Sequence, residues 1–401
     1  MPKTAARRAR RSAVGLAALS VLGMLIATDG RSTEGWAAEA PIRIGLSITE
    51  TGPYSPPALF ELQGYKLAVA RINAAGGLLG RPVELVAYDD QGNPSTAVQL
   101  YQKLLTDDRV DLLVSPYQTD LTSAVAPIVN RAKKVMPSLA ANTEAFSGRF
   151  PYLLQAMTQT ARYMVPVIDL AAAKGYKTIA LLVQDTQFPQ QLAAGVRAEA
   201  ARRGLRIVFD ETFAPTMTDF SALVLKAGAS HPDLIVGATY LADSEGIMRA
   251  AKSQRIAAKM FAFSIGPVEP EFHKGLGDTA EGVFGTTLYF PTLKTAGNVE
   301  FVQAFTAMFG RAPDYHAAVA YASLNVLAAA VNKVGSLDQT KIRDTLLATT
   351  APTVAGEFHL DKTGVQIGYT SYALQWQHGK QELVWPAEQQ TAAPALPHPA
   401  W

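Results

Sequence analysis

Short aliphatic runs alternate with amphipathic stretches from Ile42 nearly to the end of the chain, and that alternation leaves few folds open. In "IRIGLSI" the residues Ile42, Ile44, Leu46 and Ile48 recur at every second position, the period of a strand. After the turn-rich "TETGPYSPPALFE", the residues Leu62, Tyr65, Val69 and Ile72 share one face of a helix. "VELVAYDD" then reads as a strand, "STAVQLYQKLLTD" as a helix, "VDLLVSP" as a strand and "LTSAVAPIVNRAKK" as a helix. A second series begins near residue 160 with "TIALLVQD", "QLAAGVRAEAARRG" and "RIVFDETF", and continues through "DFSALVLKAGA", "DLIVGATY", "SEGIMRAAKSQRI" and "KMFAFS". Helices "NVEFVQAFTAMFG" and "AAVAYASLNVLAAAVNKVG" follow, then the hairpin-like "GEFHLDKTG" and "YTSYALQWQHGKQELVW". Apolar strands separated by helices bury both faces of a parallel sheet. Two such series predict an α/β protein of two doubly wound lobes, with the ligand site in the crevice at the carboxyl ends of the strands.

The N-terminus has a different character. Lys3, Arg7, Arg8, Arg10 and Arg11 precede an apolar stretch, Ala13 to Ala27, and small residues follow at Gly35-Trp36-Ala37 and Ala38-Glu39-Ala40. This is the layout of a secretory signal peptide over residues 1–37. The apolar stretch is about 15 residues, whereas a membrane span needs ~20. Arg10-Arg11 is a weak twin-arginine match. Removing residues 1–37 takes away six Lys/Arg and two Asp/Glu, which turns the formal charge of +2 into −2. Neither nucleic acid nor an anionic membrane is an expected partner. Cysteine is absent, so neither a disulfide nor a lipidated cysteine is available, and a soluble periplasmic protein is the expectation. No later run reaches transmembrane length. The Pro/Ala-rich tail, residues 387–401, is expected to be disordered.

"RINAAGGLLGRPVELVAYDDQGNP" (residues 71–94) carries Gly76, Gly77 and Gly80 close together and then Asp89-Asp90. A phosphate cradle places its glycines after a strand and before a helix. Here they follow a helix and precede a strand, so Gly76 or Gly77 suits a left-handed helix stop. Asp89 and Asp90 lack the alternating carboxylates of a calcium loop and read as a strand end. The six histidines are scattered, and there is no G-x-S-x-G elbow and no Walker pattern. No enzyme, cofactor or metal is predicted.

The strand ends hold the candidate site. After "VDLLV" come Ser115, Pro116, Tyr117, Gln118, Thr119 and Asp120, where a hydroxyl and the free N–H groups of a helix start can bind a carboxylate. The alternative is that Thr119 or Asp120 only caps that helix. Ala140, which closes "KKVMPSLA", and Asn142 just after it carry the same alternative. In the second lobe Phe188, Tyr240 and Ile265 offer an apolar or aromatic wall, or simply core.

Several stretches together resemble the leucine/isoleucine/valine-binding protein family, the type I periplasmic solute receptors of ABC importers. They are the T-G-P loop at Thr51, "NAAGGLLG", "YDDQGNP", "TDFSALVLKAGASHPDLIVGATY" and "GEFHLDKTG". The resemblance covers nearly the whole chain after residue 40. It implies two Rossmann-like doubly wound lobes joined by three hinge crossings, closing around a small ligand without catalysis. Lobe 1 would comprise residues 41–157 and 288–351, and lobe 2 residues 158–287 and 352–386. The implied partners are an ABC permease and its ATPase at the inner membrane, with the receptor itself a monomer.

The resemblance also implies site roles. In amino-acid-binding members a serine or threonine at Thr119 holds the α-carboxylate, next to Tyr117 and Gln118. Ala140 matches an alanine whose carbonyl holds the ammonium, but Asn142 stands where a threonine is usual. Phe188 replaces a tyrosine, Tyr240 matches one, and Ile265 replaces the acid that pairs with the ammonium. A buried ammonium without a carboxylate costs several kcal/mol. Glu269 and Asp243 are the candidate substitutes. Otherwise an aromatic or aliphatic acid competes with a branched-chain or hydrophobic amino acid as ligand. A separate ligand-sensing role and an exported enzyme are the alternatives.

Overall fold

The computed structural model describes residues 40–140 and 148–401, so the expected signal peptide and Asn142 lie outside the described residues. Strand β1 (Ile42–Ile48) is buried on both faces, because helices cover it from each side. It is followed by α1 (Ser55–Ala74), β2 (Val83–Asp89), α2 (Pro94–Thr106), β3 (Leu112–Leu113), α3 (Thr119–Arg131), β4 (Met136–Ser138) and β5 (Leu153–Gln155). Strands β1–β3 form a parallel sheet in the order β2-β1-β3, and β4 pairs with β5 beside it.

The second lobe begins with α4 (Val165–Ala173), β6 (Thr178–Gln184), α5 (Gln187–Arg203), β7 (Arg206–Phe213), α6 (Ser221–Ala229) and β8 (Leu234–Ala238). It continues with α7 (Leu241–Ser253), β9 (Met260–Phe263), α8 (Pro270–Leu276) and β10 (Phe284–Thr287). The chain then returns to the first lobe for α9 (Asn298–Phe309), α10 (Tyr315–Val334) and α11 (Gln339–Leu347). A small hairpin, β11 (Thr350–Thr353) with β12 (Gly356–His359), makes a sheet of its own. The last hairpin, β13 (Tyr372–Gln377) and β14 (Lys380–Trp385), completes the second sheet in the order β14-β13-β10-β9-β8-β6-β7. The chain therefore rejoins that sheet at Tyr372. In both lobes the strand order reverses beside the first strand, which opens a crevice there.

The glycine-rich stretch behaves as a helix stop. Gly77 has φ +83° and donates its N–H to Ile72 O at 2.9 Å, and a Cβ there would lie 2.0 Å from Arg81 O. Asp89 and Asp90 have a structural task at the end of β2. Asp90 accepts from Ser47 Oγ at 2.6 Å and Thr49 Oγ1 at 2.7 Å, while Asp89 accepts from Glu50 N at 3.0 Å. Together they fix the loop that leaves β1.

Two sequence expectations are corrected here. Helix α10 has the length and apolarity of a membrane span, but it is mostly buried and packs along α1. Its hydrophobicity belongs to the core. Residues 387–401, expected to be disordered, lie against the second lobe. Trp401 Nε1 donates to Ile256 O at 2.8 Å, its ring packs 5.8 Å from Phe261, and His398 N donates to Lys259 O at 2.8 Å. Two aromatic rings anchor a tail whose composition alone suggested none.

Candidate functional site

Beyond β3 the chain runs extended into α3, whose N-cap is Gln118 (φ −90°, ψ 151°) with no side-chain capping bond. Thr119 is thus the first helical residue and not the cap. Among the described residues its hydroxyl has no hydrogen-bond partner. The first turn of a helix also leaves backbone N–H groups unpaired at its positive end, so this corner suits a carboxylate. Asp120 turns the other way. It accepts the backbone N–H of Gln187, on α5 of the facing lobe, and burial holds its carboxyl above the ordinary value.

Thr119 lines a cavity of about 30 Å³ together with Tyr117, Gln118, Leu139, Ala140, Tyr315 and His316 from the first lobe. Met157, Tyr163, Phe188, Tyr240 and Ile265 complete the lining. Leu139–Ala140, Tyr240 and Ile265 all follow the carboxyl ends of parallel strands (β4, β8 and β9), where a doubly wound fold places ligands. Phe188 sits one step further on, in the first turn of α5.

The walls form an aromatic box. Tyr163 and Phe188 meet edge-on with centroids 5.6 Å apart, Phe188 and Tyr240 lie 5.8 Å apart, and Tyr163 faces Tyr315 at 6.5 Å. Tyr54, from the loop after β1, packs edge-on to Tyr240 at 4.7 Å and so bridges the lobes. A space of 30 Å³ has room for about one water molecule.

Seven of the residues named from sequence, namely Tyr117, Gln118, Thr119, Ala140, Phe188, Tyr240 and Ile265, line this one cavity. Neither candidate acid does. Asp243, in the first turn of α7, accepts from Gln184 Nε2 at 2.8 Å and Tyr240 N at 3.1 Å, and burial pushes its carboxyl up to about 6. Glu269 is fully buried, and burial, then the nearby charges of Asp314 and Glu271, hold it well above the usual carboxylate range.

Sequence reasoning missed the first turn of α10. Asp314 caps that helix, its Oδ1 accepting from Ala317 N at 3.0 Å, while its Oδ2 lies 2.7 Å from His316 Nδ1. The His316 ring lies between Tyr315, at 3.8 Å, and Tyr117, at 5.5 Å. Glu269 Oε1 stands 3.8 Å from the same Nδ1. These three residues have metal-ligating side chains whose atoms lie within 4.8 Å of one another. However, Nδ1 is already engaged by Asp314, and burial disfavours the charged form of Glu269 that a metal would need. The trio therefore reads as support for the imidazole. The only trace in the sequence was an aspartate two residues before a histidine at a helix start.

The family described as periplasmic binding protein matches residues 41–381. A curated relative, the leucine-, isoleucine-, valine-, threonine-, and alanine-binding protein of Pseudomonas aeruginosa, is 26% identical over 364 residues, covering 90% of this chain and 96% of its own length. The branched-chain amino acid transporter substrate binding protein LivJ of Streptococcus pneumoniae, solved in complex with isoleucine, superposes with a TM-score of 0.79 at 25% identity, over 86% of this chain and 100% of its own. A solute binding protein of an ABC transporter from R. palustris, solved in complex with benzoate, shares the fold at 18% identity with a TM-score of 0.77, over 90% of this chain and 98% of its own. The match runs from β1 into the last strand of the second sheet, and with it this chain belongs to the periplasmic binding protein family, with the type I fold of two doubly wound lobes.

Proposed function

We propose that this chain is the exported, soluble receptor of an ABC importer, carrying a small ligand with one carboxylate and an apolar or aromatic body. One observation carries the ligand class. The cavity joins the free hydroxyl of Thr119 at the start of α3 to an aromatic box, and among the described residues no acidic side chain lines it. The carboxylate sits against Thr119 and the first N–H groups of α3. The body lies among Phe188, Tyr240 and Ile265.

Function follows from closure. Residues 41–157 with 288–351, and 158–287 with 352–386, act as the two lobes, and the chain segments crossing between them act as the hinge. The closed form is what a permease at the inner membrane recognises. Residues 1–37 are removed on export to the periplasm, and the receptor works as a monomer without catalysis. Relatives named for branched-chain amino acids support the same reading with a leucine-like ligand. In that case the ammonium has to be met by a neutral acceptor, such as the carbonyl of Ala140.

A thermal-shift panel on the mature protein tests this. Carboxylates such as leucine, 4-methylpentanoate, benzoate and 4-hydroxybenzoate are compared with their amides, since a ligand bound at ~100 times its Kd stabilises by about 2.7 kcal/mol. Stabilisation by at least one acid and not by its amide supports the reading. Equal stabilisation by acid and amide, or turnover of a bound compound, refutes it.

A further inference from the structure

Resting on that reading, we infer that His316 reads the ligand, its Nε2 accepting a hydrogen bond, so that the cognate ligand carries a donor group, a hydroxyl or an ammonium, besides its carboxylate. With Asp314 as the acceptor, its 2.7 Å contact with His316 Nδ1 places the hydrogen on Nδ1. In the neutral ring Nε2 is then left as an acceptor. Among the described residues nothing bonds to it, although His316 is 99% buried (1% exposed) and lines the cavity. The ring cannot turn to satisfy Nε2 elsewhere, because Tyr315 and Tyr117 flank it and Asp314 is fixed as the cap of α10. An acceptor facing the cavity penalises a ligand that covers it with apolar atoms only. The same atom receives a ligand hydroxyl or ammonium at no such cost.

Two matched series separate the sources of the donor. One is leucine, 2-hydroxy-4-methylpentanoate and 4-methylpentanoate. The other is 3- and 4-hydroxybenzoate against benzoate. Calorimetry on the whole mature protein should show a donor-bearing member binding at least tenfold tighter than its parent acid in one series. The aliphatic series tells ammonium from aliphatic hydroxyl, and the aromatic series reports a phenol. His316→Phe should bring that pair to within about twofold by weakening the donor-bearing ligand.

Asp314→Asn provides the second variant. Its amide oxygen keeps the bond from Ala317 N, and its NH₂ then faces Nδ1. The hydrogen moves to Nε2, which becomes a donor, and the advantage of the donor-bearing ligand should fall at least tenfold although the cap is retained. The inference is overturned if parent acids bind as tightly as their donor-bearing partners in both series, or if both variants leave the contrast intact. The carboxylate reading fails separately: 4-hydroxybenzamide or leucinamide matching its acid would sink that reading and leave the His316 contrast standing.

Discussion

Gly64 of α1 lies so close to Ala317 of α10 that a Cβ built on it would sit 2.3 Å from the Ala317 carbonyl oxygen and 2.9 Å from the Ala320 Cβ. The contact falls one residue after His316. It fixes how far the first turn of α10, with Tyr315 and His316, reaches toward the cavity.

Gly64→Ala should therefore damage both stability and binding. The methyl meets backbone and not a flexible side-chain end, so α10 has to move. Overpacking of this kind costs about 1–3 kcal/mol. Denaturant melts should show that loss, and ligand affinity should fall with it. An unchanged midpoint would mean that the two helices separate freely.

Thr119→Ala should weaken carboxylate binding at least tenfold while leaving the melting temperature of the ligand-free protein within a degree or two, because the hydroxyl caps nothing. Loss of one hydrogen bond to a charged group is worth about 1.5–3 kcal/mol. Thr119→Ser should restore most of the affinity. If the alanine variant binds normally, the carboxylate lies elsewhere.

Asp243 makes stability depend on pH. Its folded value of about 6 stands above the 3.8 of the free side chain because burial disfavours the charge, although bonds from the Tyr240 backbone and Gln184 pull it back. Between about pH 4 and 6 the folded state holds a proton that the unfolded state has released. The contribution is full below about pH 4 and is lost as pH rises through about 6, by up to about 3 kcal/mol. Asp243→Asn keeps an oxygen for both bonds and cannot titrate. The difference in unfolding free energy between the two proteins should change across that window in this sense. A flat difference would show that Asp243 ionises freely in the fold.

Deleting residues 394–401 should destabilise the second lobe by about 1–3 kcal/mol, since it removes the buried His398 and the Trp401 contact with Ile256 and Phe261. Hydrogen exchange should rise along β9 and leave β1 unaffected. A disordered tail would predict no change at all.

The two-lobed architecture was legible because periodicity is local. Ile42, Ile44, Leu46 and Ile48 declare a strand without knowing what packs on them, and each series repeats the unit. The hairpin β11–β12 was harder to place, since nothing in "GEFHLDKTG" says which sheet it joins. The tail misled because Pro and Ala dominate its composition, while its order comes from two rings, His398 and Trp401, that find Phe261 far away in sequence.

The site divides along the same line. Residue order was enough to place the strand ends that face the crevice, so Tyr117, Thr119, Ala140, Tyr240 and Ile265 could be named: a doubly wound sheet sends its carboxyl ends to one side. That a glycine, Gly76 or Gly77, ends a helix was legible as well, because only the order of the elements is needed. Folding in three dimensions was needed to bring His316, on a helix reached after the chain had left the second lobe, into the same cavity. Its place depends on a close approach at Gly64, and the direction of its hydrogen bond depends on the cap at Asp314. Distances of a few ångströms between remote segments carry that information, and periodicity does not encode them.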